Sequence, residues 1–183
     1  MKAKSMTAVG VAVLALSAHG AFAAATVADG QITFTGEVTA QTCAINGNGT
    51  GSANFTVALP SVSATTLASA GSTAGRTPFN IALTGCTPDS SSVHTFFESG
   101  PTIDPATGHL ALDAGGATKV EIGLQNADFS DIALGQADGS QNSKSVSINS
   151  GSATLNYYAQ YVSLGGATPG AANSSVMYTM SYE

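Results

Sequence analysis

Residues 27–43, VADGQITFTGEVTAQTC, alternate so that Ala28, Gly30, Ile32, Phe34 and Gly36 fall on one face of a strand and Asp29, Gln31, Thr33, Thr35 and Glu37 on the other. A period of two sustained over this length predicts a sheet with one buried face. The far end repeats the pattern, with Val176, Tyr178, Met180 and Tyr182 alternating with Met177, Thr179 and Ser181 before Glu183. Two such runs, one at each end, leave rows of backbone N–H and C=O groups that something must cover, because an open edge recruits another strand.

The intervening sequence is strands and turns. Phe55, Val57 and Leu59 alternate up to Pro60, and Phe79, Ile81 and Leu83 alternate up to Gly85-Cys86-Thr87-Pro88, which places Cys86 just past a strand end. Residues 93–98, 145–148 and 153–161 read as strands; in the last, Leu155, Tyr157, Ala159 and Tyr161 share a face. Residues 109–112 and 119–124 read as a pair across Ala114-Gly115-Gly116-Ala117. The run NGNGTGSAN at 46–54 is a turn, residues 61–75 have no readable register beyond Val62 and Leu67 as anchors, and residues 128–139 read as a surface loop or one short helical turn. No region holds a helical period for three turns. Short strands at regular intervals between Gly, Pro and Ser turns predict an all-β domain, a sandwich or barrel.

Met1, Lys2, Ala3 and Lys4 form a basic head, residues 6–18 are small and apolar, and Ala21-Phe22-Ala23 offers the small residues that a signal peptidase reads. The expectation is a signal peptide at 1–23, with cleavage after Ala25 as the alternative. The apolar run is short for a membrane span. Beyond it only Arg76, Lys119 and Lys144 stand against eleven carboxylates, a formal charge of −8. Three dispersed bases make no cluster for a phosphate backbone, so nucleic acid is excluded as a partner. An exported chain meets an oxidising compartment, where two cysteines, Cys43 and Cys86, read as one disulfide. Closing a loop of that size stabilises a domain by about 3 to 4 kcal/mol on the chain-entropy model.

Candidate chemistry is sparse. His94 and His109 have no nucleophile or ligand set at a useful spacing and read as structural or surface residues. Asp128, Asp131 and Asp138 crowd one loop without the alternating oxygen ligands and closing Glu of a calcium loop. Phe96-Phe97 and Tyr157-Tyr158 suit core and cross-strand packing better than a sugar-binding groove. No catalytic residue, cofactor site or metal site is expected, and the chain does not read as an enzyme. For the end strands the residues leave three arrangements open: the termini pair with each other in a closed sandwich, the tail is an ordinary edge, or strands pass between molecules. The early position of residues 28–34, well before Cys43, gives them the freedom of an arm, and Gly30 leaves a notch in its apolar face.

Four stretches carry a family resemblance: GQITFTGEV at 30–38 followed by Cys43, FNIAL at 79–83 leading to Cys86, LNYYAQY at 155–161, and YTMSYE at 178–183 with its penultimate Tyr182. In order and spacing they resemble the chaperone-usher pilins, the major subunits of type 1 fimbriae among them, over essentially the whole chain after residue 23. The resemblance implies an incomplete immunoglobulin-like sandwich at 36–183, lacking its last strand and completed by a donor strand from a partner. It implies a donor arm at 24–35 that places Ala28, Gly30, Ile32 and Phe34 in a neighbour's groove, and an acceptor edge at Val176, Tyr178, Met180 and Tyr182. Implied partners are neighbouring subunits in a head-to-tail homopolymer, a periplasmic chaperone and an outer-membrane usher; the implied location is a cell-surface fimbrium reached through the periplasm. A minor or adaptor pilin is the nearest alternative, and a secreted carbohydrate-binding module the alternative from another class.

Overall fold

The computed structural model describes residues 31, 33–35, 42–87 and 92–183. The chain divides into two units, Met1–Glu37 and Val38–Glu183. In the first, Gln31, Thr33, Phe34 and Thr35 are exposed and form no regular element, Phe34 with 89% of its surface open. The predicted arm residues Ala28, Gly30 and Ile32 lie outside the described residues, as does the signal-peptide expectation.

The second unit is all-β, with strands β1 (Thr42–Gly47), β2 (Thr73–Thr87), β3 (Ser92–Phe97), β4 (Ile103–Asp104), β5 (His109–Ala111), β6 (Val120–Asn126), β7 (Val146–Ser147), β8 (Ala153–Ser163) and β9 (Tyr178–Tyr182). One sheet runs β1-β2-β8-β6-β5-β4 and the other β7-β3-β9, every pair antiparallel. The period-two faces do what a pleated strand requires of them. Phe79, Ile81 and Leu83 of β2, Ile122 and Leu124 of β6, and Leu155, Tyr157, Ala159 and Tyr161 of β8 bury their side chains in one core with Val93 and Phe97 of β3 and Met180 of β9. Phe97 meets Tyr157 edge-on at 5.7 Å, so aromatic packing ties the two sheets together.

Cys43 and Cys86 are bonded, their Cα atoms 4.2 Å apart, and link the neighbouring strands β1 and β2. Cys86 lies within β2, not past its end as the glycine and proline around it suggested. The strand continues because its bends are absorbed locally: the register with β8 shifts between Ala74 and Thr77, where Gly75 takes φ 69°. Two further expectations are refined. Residues 128–139 form the expected surface loop, without a helical turn, but it is pinned to the body by Ile132 and Leu134, each 1% exposed and part of the core. Residues 55–59 keep their alternation, with Phe55, Val57 and Leu59 turned toward the core and Thr56 and Ala58 outward, yet they join no ladder among the described residues.

β3 has two edges, and they are finished differently. Glu98 N–H donates to Met177 O and Ser92 exchanges both backbone bonds with Glu183, so residues 92, 94, 96 and 98 face β9. Odd-numbered residues face the other edge, where β7 pairs only at Ser92 and Val93. At Phe97 the side chain of Gln141 replaces the missing strand: Phe97 N–H donates to Gln141 Oε1 at 3.1 Å and Gln141 Nε2 donates to Phe97 O at 2.7 Å and to Gln136 O at 3.0 Å. Gln141 is 2% exposed, so no water stands ready to take over. Gln141→Ala should lower unfolding stability by about 1 to 3 kcal/mol, the penalty for buried backbone groups left unpaired, measured by denaturant unfolding with the disulfide intact.

Candidate functional site

The other end of the three-stranded sheet is open. Since Glu183, Ser181, Thr179 and Met177 point their backbone groups at β3, those of Tyr178, Met180 and Tyr182 point the opposite way, and among the described residues no strand meets them. Their side chains turn inward over a cleft of about 750 Å³. Its floor is apolar: Phe79, Ile81, Ile122, Leu124 and Ala159 of the larger sheet, with Phe97 from β3. One wall is residues 174–180 with Tyr182, and the facing wall is residues 53–57 with Leu59. Thus two stretches of extended backbone, neither with a ladder partner on its cleft side, face each other across an apolar floor. That is the space a strand occupies.

Local sequence explains why the second wall stands where it does. The turn at 46–54 is held by Gly47 N–H to Ser52 O at 2.8 Å and Gly51 N–H to Asn46 Oδ1 at 2.8 Å. Phe55 then lies directly on Gly47, where a Cβ would sit 1.9 Å from its Cδ1; only a residue without a side chain admits the ring. Phe55 continues an aromatic row with Phe79 at 6.1 Å and Tyr178 at 6.2 Å, and Phe79 meets Tyr157 at 5.5 Å. Tyr178 also donates its hydroxyl to Ala53 O at 2.6 Å, from one wall to the other. Burial pushes the Tyr178 phenol above its ordinary value, so it remains a donor.

The predicted edge residues Val176, Tyr178, Met180 and Tyr182 all line this cleft, although β9 itself begins only at Tyr178. Sequence reasoning missed the opposite wall. Its signal is the alternation of Phe55, Val57 and Leu59, a pattern that an ordinary paired strand shares.

The remaining candidates disperse. His94, 5% exposed, places Nε2 2.7 Å from Asp138 Oδ1, while Nδ1 lies 3.3 Å from Glu183 Oε1, within ion-pair range but out of hydrogen-bond alignment. His109 Nδ1 lies 3.2 Å from Glu121 Oε2. The three loop carboxylates go separate ways, Asp128 to Ser130, Asp131 to the Gln125 amide and Asp138 to His94. Among the described residues no group of three or more His, Cys, Asp or Glu is placed to hold a metal ion. The aromatic pairs split across their strands: Tyr157 is in the core, whereas Tyr158 stacks outside with Phe129, over which Arg76 lies at 4.7 Å.

Residues 59–183 match the family described as "FimA: Type-1 fimbrial protein, A". The chain belongs to the type-1 fimbrial protein family. It is 44% identical to the F17 fimbrial protein of Escherichia coli, over 93% of this chain and 97% of that one. It is 46% identical to the major fimbrial subunit SMF-1 of Stenotrophomonas maltophilia, over 87% and 95%. Among solved structures the P pilus rod subunit PapA superposes with a TM-score of 0.59 at 20% identity, covering 77% of this chain and 99% of that one. That likeness supports the incomplete immunoglobulin-like sandwich, and the family places the chain among structural subunits of fimbriae.

Asp138 also accepts from Ser181 of β9 at 2.8 Å, so β9 is linked to a titratable carboxyl. Burial alone would raise this carboxyl, but the hydrogen bonds from His94 and Ser181 and the imidazole charge outweigh it and hold it below its ordinary value. A folded-state value below the unfolded one contributes stability that is complete above about pH 4 and is lost as pH falls through the folded value. Asp138→Asn should therefore be less stable than the parent at pH 7, and the difference should shrink below about pH 4, as read from urea midpoints across pH.

Proposed function

We propose that the cleft accepts one strand from another copy of this chain, and that repetition of this contact builds the fimbrial rod. The carrying observation is the pair of facing edges, Tyr178–Tyr182 and residues 53–59, unpaired among the described residues, over an apolar floor. A strand needs about 4.8 Å to each neighbour, main-chain donors on its flanks and an apolar face beneath, and this site supplies the last two directly. The donor is the arm at 24–35, with Ala28, Gly30, Ile32 and Phe34 facing the floor. Exposed Phe34 fits a side chain waiting for another molecule's core. Because donor and acceptor are different parts of each subunit, the contact is heterologous and does not close, which gives a filament.

Before polymerisation the same slot suits a strand of a periplasmic chaperone, which the arm of the next subunit replaces at an outer-membrane usher. The family and its relatives support this route, and the likeness to a major fimbrial subunit favours the rod over a minor or adaptor position. The role is structural and non-enzymatic. Tyr157 and Tyr158 lie on opposite faces of β8, so this pair does not form a joint surface on which a sugar could stack.

Each of Ile32 and Phe34 contributes about 1.5 to 3 kcal/mol on burial in a neighbour. Replacing both with Asp puts unpaired charge into an apolar slot. Surface filaments should disappear while the periplasmic subunit–chaperone complex persists, both read by immunoblot of surface and periplasmic fractions. Loss of the complex together with the filament would mean that the arm belongs to its own domain, and filaments of normal length would mean that it is not the connector.

A further inference from the structure

The Tyr178 side chain does something the edge itself does not require. β9 presents its main chain to an incoming strand, yet its first residue reaches across the cleft and donates its hydroxyl to Ala53 O at 2.6 Å on the other wall. The ring leans on Phe55 at 6.2 Å, and Phe55 in turn is fixed on Gly47 by the absence of a Cβ there. The two walls are therefore tied at this end through a single side chain. At the other end of β9 the hydroxyls of Ser92 and Ser145 hold Glu183, away from the cleft, and no comparable bond from Tyr182 to residues 53–59 is present among the described residues.

An inserted strand turns alternate side chains toward the cleft floor, on the side of the sheet where the Tyr178 phenol crosses. A donor side chain at that level and the closed phenol compete for one space. Resting on the strand-acceptor reading above, we infer that Tyr178 is a latch: its hydroxyl bond to Ala53 closes the Phe55 end of the cleft, and it must break before a strand seats fully. The latch slows insertion without contributing to the filled state, where the bond is already broken. It thereby makes Tyr178 a positioning residue that sets the rate at which a strand is taken up, separate from the apolar side chains that set how long it stays.

The test is a rate measurement on the full mature chain, monomeric at low concentration, with a fluorescent peptide of residues 24–35 followed by stopped-flow anisotropy. Tyr178→Phe keeps the ring and its contact with Phe55 but removes the donor. Association should become roughly two- to tenfold faster, as expected for loss of one partly exposed hydrogen bond, with dissociation unchanged. Equal association rates would overturn the latch, and so would a variant whose only change is faster dissociation, since the hydroxyl would then serve the filled cleft. Failure of both proteins to bind peptide, while near-ultraviolet circular dichroism shows both folded, would instead refute the strand-acceptor reading and the latch with it.

Discussion

Tyr178, Met180 and Tyr182, whose backbone groups meet no strand among the described residues, govern this molecule. An antiparallel strand bonds its neighbours at alternate residues, so pairing β9 to β3 at 177, 179, 181 and 183 consigns the other three to the far side. Their side chains simultaneously face an apolar cleft, which excludes the water that would otherwise satisfy them once the slot is covered. A domain in this state is short of both hydrogen bonds and buried surface, and a single added strand supplies the two together. Assembly is thus the completion of folding, with the missing piece carried by another copy.

The rest of the fold keeps that opening at one place. The edge of β3 away from β9 is finished by β7 and by the Gln141 amide, which mimics a peptide group where β7 stops. The Cys43–Cys86 bond fixes β1 to β2, and β1 ends at Gly47, the platform for Phe55 and hence for the second wall. His94, hydrogen-bonded to Asp138 at 2.7 Å, ties the outer face of β3 to the loop at 128–139. These are unrelated devices of covalent, steric and electrostatic kinds. Their shared result is that the two walls stand on either side of one apolar floor.

Much of this was legible in the sequence because period-two alternation reports a buried face directly, as at Phe79, Ile81 and Leu83 or Leu155, Tyr157 and Ala159. The inward residues of the acceptor edge were readable for the same reason. What alternation cannot report is whether an extended run has a ladder partner. Phe55, Val57 and Leu59 have the pattern of a strand and the backbone of an open wall. Ile132 and Leu134 were hidden by their setting, two apolar residues among Asp, Gly and Ser, and are buried by packing that no local rule encodes. The Gln141 bridge and the Tyr178 bond join residues 44 and 125 positions from their partners, and neither leaves a trace in spacing.

Strand addition requires that the outward N–H groups of β9 gain partners when subunits assemble. Amide hydrogen exchange at Tyr178, Met180 and Tyr182, compared between the monomeric mature chain and its filaments, reads this directly. If a strand adds at this edge, their exchange is fast in the monomer and protected in the filament to a degree approaching that of the core strands β2 and β8, while Thr179 and Ser181, already bonded to β3, change far less. Equal and fast exchange of Tyr178, Met180 and Tyr182 in both states would contradict it, because a filament could then form without any strand added at this edge.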